Sequence, residues 1–302
     1  CEANNGHRRR GRGFAAGWKN VGLGGGVRDY AEATVELHGG SDIEQVIVRN
    51  AAAEVGQGVQ TVLAQIVAEV VGVPLDRIRI IGSDTCASPP SGTASASRLT
   101  LMAGNATRQA AMDALDAWHQ REERPAIGRG RYDAPDTQPV DATLPGRWTH
   151  YSLGYTAGSA EVEVDLETGQ VRLLSFVSAL DAGRAINPQQ VQGQTLGGIT
   201  QAMGWTLSEK LQIHNGHLLA TDFSTYLIPT ILDMPSDIQC IIVETADPHG
   251  PFGARGIGEL PVLTVAPAIL DAIHDATGIW LDHVPVLAED IWRAYNRLEP
   301  PQ

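Results

Sequence analysis

The sequence predicts an α+β fold of repeated strand–strand–helix units arranged as two subdomains. Three observations predict it. A strand, a turn, a returning strand, a polar loop and a long helix occur in that order at 31–72 and again at 160–210. The chain has 302 residues, 43% apolar and 19% charged, enough to bury a core larger than one small domain needs. Residues 121–148 mix Pro, Gly, Asp and Arg without periodicity and separate the two copies. The division is therefore an arm over 1–27, a first subdomain over 28–122, a connection over 123–150 and a second subdomain over 151–302.

Charge and cysteine usage exclude several function classes. A net charge of -13 argues against a nucleic-acid surface. No apolar run approaches the roughly 18 residues of a membrane-spanning helix, and no secretory signal is seen, so a cytoplasmic protein is expected. Cys1, Cys86 and Cys240 are scattered, which suits a reducing compartment and gives no thiolate metal site or iron–sulfur spacing. The chain starts at Cys1 without a methionine, so a cut or processed polypeptide is expected. Arg8 to Arg10 read as part of a solvated arm.

Residues 31–38 form a strand, 39–42 turn it, and 44–50 return. Val59, Val62, Leu63, Ile66, Val67 and Val70 then recur with helical spacing, and Gly72 with Pro74 ends that helix. Gly56, Gln57 and Gly58 stand at its N-terminus, where open backbone N–H groups and a side-chain amide suit an anion such as a phosphate; an ordinary turn is the plainer reading. A short strand at 77–81 runs into SDTCASPPSGTASASR, whose hydroxyls and small residues suit either a polar ligand or a surface loop. An alanine-rich helix follows at 99–120.

In the second copy, strands at 160–165 and 171–179 flank a Glu167-Thr168-Gly169 turn, and DAGRAINP leads into a helix at 189–210. Gln192, Gln194 and Gln201 with Gly193, Gly197 and Gly198 make the helix start polar and close-packing. Asn215-Gly216 predicts a two-residue hairpin turn. A strand at 238–244 enters DPHGPFGARGIGELP, rich in glycine, with one acid, Glu259, at its end. Residues 260–276 read as an apolar helix, which puts Glu259 at a loop-to-helix junction, either facing a cavity or as a plain N-terminal acid. A last helix is expected at 287–298.

The ordered set GQG (56–58), GTASASR (92–98), DAGRAINP (181–188), QGQTLGGITQAMG (192–204) and GARGIGELP (253–261) resembles the molybdenum-binding subunit of the xanthine dehydrogenase/aldehyde oxidase family, over about 11–295. The resemblance implies the C-terminal part of a molybdopterin-binding (molybdenum hydroxylase) large subunit. It implies that Gln57, between Gly56 and Gly58, hydrogen-bonds the cofactor and that Thr93, Ser95 and Ser97 lie along it. A one-residue looseness leaves Ala94 or Ala96 as alternatives to a serine. Gln194 is implied to touch the cofactor, and Arg255 to orient the cofactor or Glu259, or to make an exposed salt bridge. No side chain of the chain is implied as a metal ligand, because the metal is held by the cofactor's dithiolene. Glu259 matches the catalytic base of a reaction that hydroxylates an electron-poor carbon of a purine, N-heteroaromatic or aldehyde with oxygen from water.

The implied cofactor is molybdopterin with molybdenum, with a cytosine dinucleotide form also open. A 2Fe-2S cluster and FAD are expected on other domains or subunits. The implied partners are the N-terminal half of the molybdenum subunit, whose segments complete the site, together with iron–sulfur and FAD subunits and a small-molecule substrate. A fragment of a larger chain and a naturally split subunit both fit, and this polypeptide alone is expected to be inactive. The alternative is a non-catalytic assembly module that keeps the fold.

Overall fold

The computed structural model describes residues 6–120, 123–141, 143 and 148–298. Two four-stranded sheets are built by one rule. The first contains β2 (Tyr30–Gly39), β3 (Ile43–Arg49), β4 (Ile78–Ile81) and β5 (Ala126–Asp133), in the order β4-β3-β2-β5. The second contains β1 (Arg8–Asn20), β6 (Leu153–Asp165), β7 (Val171–Asp181) and β10 (Asp237–Val243), in the order β1-β6-β7-β10. Each has a central antiparallel hairpin, one antiparallel edge strand and one parallel edge strand.

Helices α1 (Val59–Val71) and α2 (Leu99–Gln120) cover the first sheet, and α3 (Pro188–Leu207) and α4 (Val265–Thr277) the second. The alternation of β2 puts Ala31, Ala33, Val35 and Leu37 in the first core, and that of β6 puts Ala160, Val162 and Val164 in the second. Helix α1 buries Val59, Leu63, Ile66 and Val67 and stops at Gly72, whose φ of 76° lets its N–H reach the Ala68 carbonyl. Asn215 and Gly216, both left-handed, form the tip of a small hairpin, β8 (Ile213–His214) with β9 (His217–Leu218). The chain's last described element is α5 (Ala288–Leu298).

The structure corrects the sequence reading in three places. Arg8 to Arg10 begin strand β1, which pairs with β6 along its whole length, so the supposed arm is an edge of the second sheet. Within the supposed connection, residues 126–133 form β5, an edge of the first sheet. Both strands escaped notice for one reason. Their inward positions are glycines rather than large apolar residues, because a helix backbone lies directly on them. A Cβ at Gly11 or Gly13 would run into backbone of α4 at Ala268 to Ala276, and one at Gly128 or Gly130 into backbone of α2 at Ala106 to Ala114. Aspartates on the same helices cover the strand edges. Asp275 and Asp271 accept from the Arg12 and Phe14 N–H at 2.8 and 2.9 Å, and Asp113 accepts from the Arg129 N–H at 2.9 Å. The third correction concerns α4. It starts at Val265, preceded by turns through Leu260 and Leu263, so Glu259 does not sit at its N-terminus.

Candidate functional site

The two units meet through equivalent parts. The loop entering α2 and the loop entering α4 face each other, with the N-terminal turns of α1 and α3 on either side. A cavity of about 240 Å³ lies there, lined by Gln57, Ser95, Ser97, Gln194 and Glu259 among others. It adjoins a smaller one that shares Gln57 and Gln194 and adds Gln190 and Arg255.

A buried arginine pins each loop. Arg98 and Asp29, each with a side chain 1% exposed, pair at 2.6 Å. The remaining Arg98 N–H groups donate to the carbonyls of Tyr30, Ser91 and Thr93. Asp29 also accepts from the Tyr151 hydroxyl at 3.0 Å; burial and that carboxylate push the Tyr151 phenol well above its ordinary value. In the other loop, Arg255 Nη1 meets Asp181 at 2.8 Å and its Nε donates to Asp247 at 3.1 Å. Burial opposes ionisation of Asp181, but the Gly183 and Thr245 N–H groups and the Arg255 guanidinium outweigh it and hold the carboxyl below its ordinary value. Arg255 is thus a buried brace rather than an exposed salt bridge, and its charge is committed to two carboxylates.

At the contact between loops, Ala96 and Ser97 are both left-handed, at φ 51° and 50°, a conformation that costs non-glycine residues of order 1–3 kcal/mol each. The turn sets the Ser97 hydroxyl against Glu259. It accepts from the Glu259 N–H at 3.0 Å and donates to Oε2 at 3.3 Å. Gly256 lies so close to the Ser97 carbonyl that any side chain there would collide with it. Gln194 Nε2 donates to the Gly258 carbonyl at 2.8 Å, tying α3 to the same loop. The Lys19 ammonium, from the end of β1, pairs with Glu259 Oε2. The Glu259 side chain remains about half exposed, at 48%.

The sequence-predicted residues are thus partly gathered. Gln57, Ser95, Ser97, Gln194 and Glu259 share one wall, Arg255 lines the adjoining recess, and Gly56 and Gly58 flank Gln57. Thr93 stands outside that wall, exposed, with its carbonyl on Arg98; Ala94, an alternative to a serine, lies in it beside Ser95. The α1 N-terminus is not open to an external anion. The Glu54 carboxylate accepts from the N–H groups of Gly56, Gly58 and Gln60 at 3.0, 2.8 and 3.1 Å. Those bonds hold its carboxyl below the ordinary value despite the opposing effect of burial. Gln57 itself is engaged locally, accepting from the Val55 N–H and donating to the Ala53 carbonyl.

Sequence reasoning missed Glu54, Lys19, Asp29 and Gln190. Glu54 stands two residues before the GQG motif, so a side-chain cap there was visible in principle; nothing in the sequence links Lys19 to Glu259. Gln190, in the first turn of α3, carries a buried amide oxygen with no hydrogen-bond partner among the described residues and lines the cavity. An orphaned acceptor, amides and hydroxyls fit a polar ligand rich in hydrogen-bonding groups, such as a pterin. The wall offers no thiolate or imidazole. Among the described residues the one cluster of three metal-ligand side chains, His7, Asp165 and Glu167, is at the opposite end of β1.

The model of the molybdopterin cofactor-binding domain family matches residues 1–124 and 114–235. The chain is 31% identical to a probable xanthine dehydrogenase subunit from Bacillus subtilis, over 97% of this chain and 43% of that protein. It is 32% identical to the 6-hydroxypseudooxynicotine dehydrogenase complex subunit gamma of Paenarthrobacter nicotinovorans, over 91% of this chain and 39% of that protein. The crystal structure of the aldehyde oxidoreductase from Desulfovibrio desulfuricans superposes with a TM-score of 0.86 at 31% identity, over 97% of this chain and 33% of that one. The chain thus spans well under half the length of these relatives. It belongs to the molybdopterin cofactor-binding domain family of the xanthine dehydrogenase and aldehyde oxidoreductase proteins.

Proposed function

We propose that this chain forms the C-terminal half of the molybdenum subunit of an oxidoreductase that hydroxylates an electron-poor carbon, with Glu259 as general base. The substrate class is a purine, N-heteroaromatic or aldehyde, and water is the source of oxygen. The observation that carries this reading is Glu259 itself, a carboxylate half exposed at a cavity whose other polar lining is mainly amide and hydroxyl. When bound, the molybdopterin cofactor supplies the two-electron redox chemistry, its metal held by dithiolene sulfurs.

Gln57, Gln190, Gln194, Ser95 and Ser97 would hold it through neutral hydrogen bonds, and the braces at Arg98 and Arg255 keep the two loops at fixed separation. Glu259 takes the proton from the attacking oxygen, which requires a carboxylate within hydrogen-bond reach of it. A cytosine dinucleotide extension of the cofactor, iron–sulfur and FAD partners and a cytoplasmic location complete the proposal. No helix among the described residues is long and apolar enough to cross a membrane.

A second reading, an assembly module without catalysis, draws on one feature. Phe223, Ile231 and Leu232 are among the most exposed large apolar side chains of the chain, as a partner surface requires. The test is the molybdenum and pterin content of the assembled complex, wild type beside Glu259→Gln. Stoichiometric molybdenum in both, with activity lost only in the variant, is the expected result. Absence of molybdenum from correctly assembled wild type leaves the assembly module.

A further inference from the structure

Lys19 has no role in the catalytic proposal, yet its setting is unusual. Along β1 the inward positions are Arg9, Gly11, Gly13, Ala15 and Gly17, and Lys19 continues that series at the end of the strand. Its side chain is only 16% exposed, a costly place for an ammonium unless it is paired. The pair is Glu259 Oε2, with the Asn20 carbonyl accepting a second N–H at 2.8 Å. The chain otherwise uses arginine almost throughout. Of 22 basic residues only Lys19 and Lys210 are lysines, and Lys210 is exposed. A compact ammonium meets one carboxylate oxygen end-on, where a guanidinium fork would tend to engage both.

We propose that Lys19 is the positioning residue of Glu259: its ammonium, with the Ser97 hydroxyl, fixes Oε2 and leaves Oε1 as the oxygen that accepts the proton. This rests on Glu259 being the base. Both donors converge on Oε2, and among the described residues none donates to Oε1. From the loop before α2 the facing group is the neutral Ser97 hydroxyl, and from α3 the neutral Gln194 amide on Gly258. Lys19 is the one charged group in contact with Glu259 among the described residues. Its loss therefore removes an anchor of Oε2 and leaves the Ser97 hydroxyl as the remaining side-chain donor to Glu259 among the described residues.

The test uses the assembled complex and two readouts. Amine acylation followed by peptide mass mapping reports Lys19 directly, with Lys210 as internal reference. Lys19 should react about tenfold more slowly than Lys210 in the wild type, and its rate should rise severalfold in Glu259→Gln, whether or not that variant turns over. In parallel, Lys19→Met should lower kcat severalfold with KM and molybdenum content unchanged, and Lys19→Arg, whose fork tends to engage both oxygens, should restore only part of it. A Lys19 rate unaffected by Glu259→Gln overturns the pair. An unchanged kcat in Lys19→Met overturns the positioning role. Full activity in Glu259→Gln overturns the base itself, and the labelling result then shows separately whether the ion pair exists.

Discussion

The loop entering α2 and the loop entering α4 occupy the same place in their units, between the last parallel strand and the helix that covers the sheet. Each is braced by one buried arginine, Arg98 or Arg255. What they present differs. The first offers hydroxyls on a strained left-handed turn, Ser95 and Ser97, whereas the second offers glycine-spaced backbone and a carboxylate, Glu259. One scaffold used twice thus supplies two walls of one cavity, with neutral hydroxyls on the first and a carboxylate on the second.

The braces also differ in what else they hold, and that is where the largest effect is expected. Without Arg98, Asp29 keeps the Tyr151 hydroxyl and the Leu23 N–H, and the carbonyls of Tyr30, Ser91 and Thr93 lose a donor as well. Without Arg255, Asp181 keeps two backbone N–H groups, and Asp247 keeps the Ser152 hydroxyl and the His249 N–H. Arg98→Met should therefore cost about 3–5 kcal/mol, the usual loss on breaking a buried pair, and Arg255→Met distinctly less. Chemical denaturation of the intact protein measures both, and equal losses would break the contrast between loops.

The next effect tests the likeness of the units rather than their difference. Gly13→Ala and Gly130→Ala put a methyl against the α4 and α2 backbones, and each should destabilise by about 1–3 kcal/mol through overpacking. A large inequality between them would mean that one edge strand yields where the other does not.

The smallest effect is acid sensitivity. The Glu54 and Asp181 carboxyls both lie below their ordinary values in the folded protein. A depressed carboxyl adds stability that is fully present above its unfolded value, about pH 4, and that fades as pH falls through the folded value. Glu54→Gln in the first unit and Asp181→Asn in the second should each flatten the loss of thermal stability below about pH 4. Scans at graded pH would show which unit carries more of the acid response.

Much of this was legible from residues in order. Apolar alternation marked β2, β3, β6 and β7, and helical spacing marked α1. Glycines at 256 and 258 marked the loop whose backbone lines the cavity. Strands β1 and β5 were illegible because their buried positions are glycine, chosen to admit a helix backbone that a one-dimensional pattern does not reveal. The α1 N-terminus looked vacant because the carboxylate filling it, Glu54, bends back from before the motif.

What the sequence by itself determined is the class of fold, the duplicated plan and the residue types around the site, since periodicity and turn chemistry are local properties of the chain. Only the tertiary structure decided which of those residues meet. Lys19 and Glu259 lie 240 positions apart, Ser97 and Glu259 162, and Asp29 and Arg98 69. Those contacts depend on how the end of β1 and the loops before α2 and α4 pack together, which local patterning along the chain does not specify.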